Sequence, residues 1–326
     1  MALSKIQTTT GTATPAELGR TLVHEHVLVG YPGWELDARA PKFKRADAML
    51  RAVDQMHELQ SHGVSTFLDP CPMDLGRDPV FLAELSQKSG MRIICTTGMY
   101  FEAEGNTFTF RHLPVEEVTA IYVQEIEQGI GDTGIKAGAI KMATGADTVS
   151  DYERKLVIAA ARAAKITGVP LISHTQNATC GHAQIDLVTG EGVPACQLLV
   201  GHSDGTPDFE YQKSLAERDA YVGFDRFGIS LFQPDEVRVA NIMKMRAAGH
   251  LERVLVSHDS IMCWLGRPLP YAPSFEAMLE MLPDWRSTHI FRKIVPQLRA
   301  QGMTEQEIEI ILVDNPRRWF SAGLAS

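Results

Sequence analysis

The chain has 326 residues, 44% of them hydrophobic and 22% charged, the balance of a soluble globular protein able to bury a sizeable core. A net charge of −9 and a pI near 5.7 argue against a protein that grips phosphate backbones, so no nucleic-acid partner is expected. The N-terminus lacks the continuous apolar core of a secretory signal and no later stretch reaches about 18 apolar residues, so a cytoplasmic chain with no membrane partner is expected.

The segment ahead of Arg20 reads as a short hairpin or a plug beneath the fold. Eight short apolar runs follow, each ending in polar residues: TLVHEH, VSTFLDP, RIICTTGMY, KAGAIKMAT, PLISHT, QLLVGHSD, YVGFDRFG and RVLVSHDS. Near-continuous apolar strands alternating with helices indicate a parallel sheet covered by helices. The intervening segments agree: ADAMLRAVDQMHELQSHG precedes the second run and DYERKLVIAAARAAKITG the fifth, and both end at glycine, the usual helix C-cap. Eight strand-helix units match an α/β fold of the (β/α)8 TIM-barrel type, whose usual length is about 250 residues with room for insertions. A single domain spanning residues 1–326 is expected, since no Pro/Gly/Ser-rich linker divides the chain. A doubly wound open sheet competes, but it calls for a glycine-rich phosphate loop, and neither GxGxxG nor GxxxxGK[ST] occurs. The stretch after Asp259, SIMCWLGRPLPYAPSFEAMLEMLPDW, is too long for an ordinary connection, and long barrel loops are usually functional. The cysteines Cys71, Cys95, Cys180, Cys196 and Cys263 are odd in number, widely spaced and without CxxC pairing, which fits reduced thiols.

Barrel active sites lie at the C-terminal ends of the strands, so the residues closing each run are the candidates. They are His24 and His26 on the first strand, where i and i+2 share a face, Lys141 on the fourth, His174 on the fifth, His202 on the sixth and Asp259 on the eighth. Singly, a strand-end histidine is more often a satisfied rim residue than a ligand. Together, imidazoles and a carboxylate suit zinc, manganese, cobalt or iron, and this many ligands suit two divalent ions better than one. Lys141 is the odd member: an ammonium repels a cation, so it is either a salt-bridged structural residue or a lysine carbamylated by carbon dioxide.

The motifs TLVHEH, GAIKMA, ISHT, VGH and VSHDS, in that order and at those intervals, resemble the metal-binding strands of the phosphotriesterase group of the amidohydrolase superfamily. TTGMY, GFDRFG and DNPRRWF more closely resemble the phosphotriesterase-like lactonases. The resemblance implies that His24, His26 and Asp259 hold a buried metal and that His174 and His202 hold a more exposed one. Carbamylated Lys141 and a hydroxide would bridge the pair. It also implies a tyrosine, Tyr100, that points at the metals and hydrogen-bonds a lactone, a wall residue Arg226 beside the substrate, and a homodimer.

Two divalent ions lower the pKa of a shared water and polarise a substrate oxygen, so lactone opening to a hydroxy acid is expected, with Asp259 carrying the proton and phosphotriester hydrolysis as a side reaction. Acyl-homoserine lactones and aliphatic γ- or δ-lactones are the expected substrates. The loop after the eighth strand carries Cys263, Trp264, Leu265, Leu269, Tyr271, Met278, Met281 and Leu282, an apolar load suited to an acyl chain, with Cys263 and Trp264 as the nearest candidates for substrate contact. FEAEGNTFTFRHLP adds Phe101, Phe108 and Phe110 to the same pocket or to a dimer surface. Three other readings compete: a dedicated phosphotriesterase or aryl-ester hydrolase on the same site, a non-catalytic binding protein of the same fold, and a deaminase-like or dihydroorotase-like member of the wider superfamily.

Overall fold

A computed structural model describes residues 4–267 and 274–324. A two-stranded antiparallel hairpin, β1 (Ile6–Thr8) and β2 (Gly11–Ala13), opens the chain. Eight parallel strands then run in barrel order: β3 (Arg20–Leu22), β5 (Val64–Asp69), β6 (Arg92–Gly98), β7 (Ala139–Thr144), β8 (Leu171–Thr175), β9 (Leu198–Val200), β10 (Tyr221–Phe224) and β11 (Val254–Val256). Seven fall within one of the apolar runs and β3 begins one residue before its run, and almost every residue in them is buried, as strands covered on both faces must be. The fold is therefore a (β/α)8 barrel.

Local signals set the helices between strands. Ser150 caps the helix Asp151–Thr167 by accepting from the Glu153 amide, and Gly168 ends it at φ 79°. The Asp78 carboxylate caps Pro79–Ser89, with proline in the first turn where its missing N–H does no harm. Ile6, Leu18, Val23, Trp319 and Phe320 pack with Leu68, Ile94 and Leu199 inside the barrel, so the N-terminal segment helps plug it, as expected, and the last helix, Asn315–Ser321, joins it there.

The first and last strands meet by a different arrangement. No ladder joins β3 to β11. Beyond them, β4 (His26–Val29) pairs in parallel with β12 (Ile261–Trp264), Ile261 opposite His26. Between these segments the seam is held by single bonds: the Ser257 hydroxyl accepts from the amides of Val23 and His24, the Asp259 amide donates to His24 O at 3.0 Å, and the His26 amide to Ser260 O at 2.7 Å. His24 therefore sits in a break rather than in one continuous strand with His26, a correction to the sequence reading. Among the described residues no helix is long and apolar enough to cross a membrane, and all five cysteines are free.

Candidate functional site

His24, His26, Tyr100, Lys141, His174, His202, Arg226 and Asp259 converge at the C-terminal mouth of the barrel. Asp259 is central: its Oδ1 lies 3.3 Å from His26 Nε2 and 3.5 Å from His24 Nε2, and its Oδ2 lies 3.7 Å from His202 Nε2. Both Asp259 (φ 54°) and His202 (φ 59°) adopt left-handed backbone, a conformation tolerated by Asp and His and concentrated at functional sites. The Lys141 amine lies 3.0 Å from His24 Nε2, and the His174 ring stands edge-on to that of His202 at 4.6 Å.

Three histidines have their proton positions set by partners that sequence reasoning missed. A carboxylate only accepts, so His24 Nδ1–H donates to Asp225 Oδ2 at 2.8 Å and His202 Nδ1–H to Asp225 Oδ1 at 2.9 Å. Their Nε2 lone pairs are thereby turned towards Asp259. Likewise His174 Nε2–H donates to Gln176 Oε1 at 2.7 Å, which leaves Nδ1 as the bare nitrogen, 3.2 Å from the Tyr100 hydroxyl. Asp69 lies 3.6 Å from His26 Nδ1, which has no hydrogen-bond partner among the described residues. Asp225 closes the seventh strand, so the strand-end rule was able to find it, but only its neighbour Arg226 was singled out. Gln176, two residues beyond His174, carried no comparable signal.

Electrostatics favour a cation. Burial, then Lys141, lowers the pKa of His24; burial and His202 hold His174 well below its ordinary value; and burial and Arg226 push His202 down to about 3. These rings are neutral, as ligands must be. Burial opposes charge on Asp225 and Asp259, but the N–H groups of His202 and His24 on Asp225, and the His26 N–H and the Arg226 guanidinium on Asp259, help hold both well below the usual carboxylate range. His26 is pulled the other way: Asp259 and Asp69 overcome burial and raise it well above its usual value, so a proton occupies the spot that an arriving metal would take. Burial brings Lys141 down to about 8, close enough to neutrality for a useful fraction of free amine.

The donor set fits a metal. His24, His202 and Asp259 present ligand atoms within 4.8 Å of one another. His26, Asp69 and Cys71 do the same, but burial pushes the Cys71 thiol up to about 11 and it donates to Leu75 O, so that group supports His26 rather than ligating.

Around this centre, Arg226 Nε donates to Asp259 Oδ2 at 3.1 Å, and its guanidinium lies over the Phe232 ring. Arg226 thus forms an ion pair with Asp259. Phe101 stacks on His174 with centroids 5.2 Å apart, whereas Phe108 is exposed. Trp264 stacks on Tyr31, whose hydroxyl bonds Glu104. Cys263 alternates to the other side of β12 and is buried against Arg51 of the helix Arg45–Ser61, which takes it away from the substrate role expected for it. Met278, Leu282, Trp285 and Ile229 form a small core of their own that Ile261 and Trp264 join, so part of the apolar loop packs on the barrel. Leu269 and Tyr271 lie outside the described residues.

Fold and cluster together define a barrel enzyme with a histidine-carboxylate metal site at its catalytic face. The chain belongs to the phosphotriesterase family, whose model matches residues 4–320, and is a metal-dependent hydrolase of that family. It is 30% identical to an aryldialkylphosphatase from Saccharolobus solfataricus over 94% of this chain and 96% of that one. An organophosphorus hydrolase from Deinococcus radiodurans superposes with a TM-score of 0.93 at 38% identity, covering 98% of this chain and 97% of the other. A variant of a Deinococcus radiodurans PTE-like lactonase superposes at 0.91 with 37% identity, covering 97% and 99%.

Proposed function

We propose that the protein opens lactones to hydroxy acids, with phosphotriester hydrolysis as a weaker reaction of the same site. His24, His26 and Asp259 would hold one divalent ion and His174 and His202 a second, with carbamylated Lys141 shared between them. The ions, when bound, supply a hydroxide nucleophile at neutral pH and polarise the substrate's carbonyl oxygen. Carbamylation needs a neutral amine, and burial of Lys141 favours it.

The chain's own residues do the rest. Water adds to the carbonyl carbon, the ring C–O bond breaks, and Asp259 accepts the water's proton and delivers it to the departing alkoxide. Arg226 holds the Asp259 carboxylate in place and keeps its basicity low, which suits a group that must give the proton up again. Tyr100 donates a hydrogen bond to the lactone.

The observation that carries the lactone reading is the Tyr100 hydroxyl 3.2 Å from His174 Nδ1, at the mouth where a substrate would enter: burial raises this phenol well above its usual pKa, so it stays a donor. Lactonase activity also agrees with the Deinococcus PTE-like lactonase at 37% identity. A phosphotriester preference is favoured by the aryldialkylphosphatase relative. The deciding experiment is a kcat/KM panel on cobalt-loaded enzyme in bicarbonate buffer, comparing acyl-homoserine lactones, alkyl γ- and δ-lactones and an aryl phosphotriester. A lactone is expected to lead by orders of magnitude; a leading phosphotriester overturns the substrate class.

A further inference from the structure

Glu25 lies between His24 and His26, yet points away from them. It is fully buried, and its carboxylate is met only by donors: Oε1 accepts from the His258 amide at 2.9 Å and from His258 Nδ1–H at 2.5 Å, while Oε2 accepts from the Ser260 amide at 3.0 Å and the Ser260 hydroxyl at 2.5 Å. His258 and Ser260 are the residues on either side of Asp259. The His258 ring is fixed at its other end, where Nε2 accepts from the Ile290 amide at 2.9 Å, one of the N-terminal amides that a helix leaves unpaired. The His258 carbonyl in turn accepts from Trp285 Nε1.

We infer that Glu25 is a positioning residue that sets the distance between Asp259 and the paired histidines. The inference rests on the metal-hydrolase reading above. Its physical basis is the seam: no sheet ladder joins β3 to β11, and the β4–β12 ladder begins only at His26 and Ile261, so beside the Asp259 turn the backbone is held by two single bonds, the Asp259 amide to His24 O and the His26 amide to Ser260 O. Glu25 adds a buried side-chain tie to these backbone bonds. It grips the amides before and after Asp259, which pins that residue's left-handed backbone from both sides and leaves its side chain to face the barrel axis. Because Glu25 shares a backbone with His24 and His26, the two halves of the ligand set move as one piece. Packing alone does not call for a carboxylate here, since an apolar side chain of similar volume would fill the space, but it would strand four buried donors. Asp225 orients the rings of His24 and His202 by bonding their Nδ1 atoms; Glu25 acts through the backbone from the outer side of the barrel wall.

The test uses Glu25→Gln and Ser260→Ala, with three readouts: cobalt affinity by competition against a chromophoric chelator, the visible d–d spectrum of the cobalt-loaded protein, and far-UV circular dichroism of the metal-free protein. Glu25→Gln keeps the shape but turns an NH2 group towards donors. It is expected to fold, to lose about 10–100-fold in cobalt affinity, the range for groups that hold ligands in place, and to shift the spectrum. Ser260→Ala removes one of the four bonds and is expected to lose less while keeping the fold. Folded variants with wild-type affinity and spectrum overturn the proposal; if Glu25→Gln fails to fold, Ser260→Ala decides it on the same readouts. Cobalt binding by the wild type without lactone hydrolysis refutes the lactonase reading alone, whereas a wild type that binds no cobalt refutes both.

Discussion

Replacing Asp225 by asparagine is expected to weaken metal binding without unfolding the barrel. The carboxylate accepts three bonds: His24 Nδ1–H on Oδ2 at 2.8 Å, and the His202 amide and Nδ1–H on Oδ1 at 2.8 and 2.9 Å. An asparagine has one acceptor oxygen, and the doubly bonded His202 side claims it. Its NH2 group then faces His24 Nδ1–H, donor against donor. His24 relieves the clash by moving its proton to Nε2, the nitrogen that must bind the metal. Disturbing a group that orients a ligand costs about 10–100-fold in metal affinity, or about 1.4–2.7 kcal/mol. On the proposed ligand assignment, the loss should fall on the ion that His24, His26 and Asp259 would hold and spare the one that His174 and His202 would hold. Asp225→Ala is less informative, because it strands three buried N–H groups at about 1–3 kcal/mol each and threatens the fold itself.

The assay is metal stoichiometry by elemental analysis after graded chelation, together with thermal melting of the metal-free proteins. One equivalent should leave the Asp225→Asn protein at chelator concentrations that strip neither site of the wild type, with little change in the metal-free melting temperature. Equal retention of both equivalents would refute the argument that proton placement on His24 sets affinity. A large fall in metal-free stability would show that Asp225 serves the fold first.

Lys141→Ala should lose metal and at least about 100-fold in activity, more than an outer-shell change, and short carboxylic acids should restore part of it by standing in for a carbamate; full activity with unchanged metal content refutes a shared-ligand role. Tyr100→Phe should lower lactone kcat/KM by about 10-fold, the worth of one hydrogen bond of ~1.5 kcal/mol, and leave phosphotriester hydrolysis less affected; equal losses remove the reason for preferring lactones. Asp74→Asn should stabilise the protein at neutral pH. Burial raises the Asp74 carboxyl to about 6 from 3.8, so its contribution to stability is full below pH 3.8 and is lost as pH rises through about 6. The asparagine oxygen keeps the Tyr100 amide bond, so the variant should gain about 1–3 kcal/mol at pH 7 and little at pH 4; a melting-temperature difference that does not grow with pH contradicts this.

What was legible in the sequence was whatever had a period or a fixed place in the fold. The eight apolar runs marked the eight barrel strands because a strand covered on both faces has no polar position to spare. The rule that barrel sites sit at strand ends then picked out His24, His26, Lys141, His174, His202 and Asp259, and the structure brings them together. Cys263 and Trp264 are adjacent in sequence but on opposite faces of β12, so pairing them as substrate contacts overlooked the two-residue alternation of a strand.

The residues that escaped notice share a different property: each is defined by what it accepts from a distant part of the chain. Asp225 is 201 residues from His24, and Glu25 is 233 from His258; no local spacing announces either pairing. Yet both follow from one physical demand. A cation site needs bare nitrogens pointing inward, and a neutral imidazole has one only if its other nitrogen gives its proton to something. Each inward histidine therefore implies an acceptor behind it, as Asp225 and Gln176 show. The seam at His24 and Asp259 makes room for a further one, because the ladder between β4 and β12 begins only beyond these ligands and single backbone bonds hold them next to each other. Glu25, an anionic residue between two histidines that face away from it, is where the sequence itself places a candidate for that acceptor.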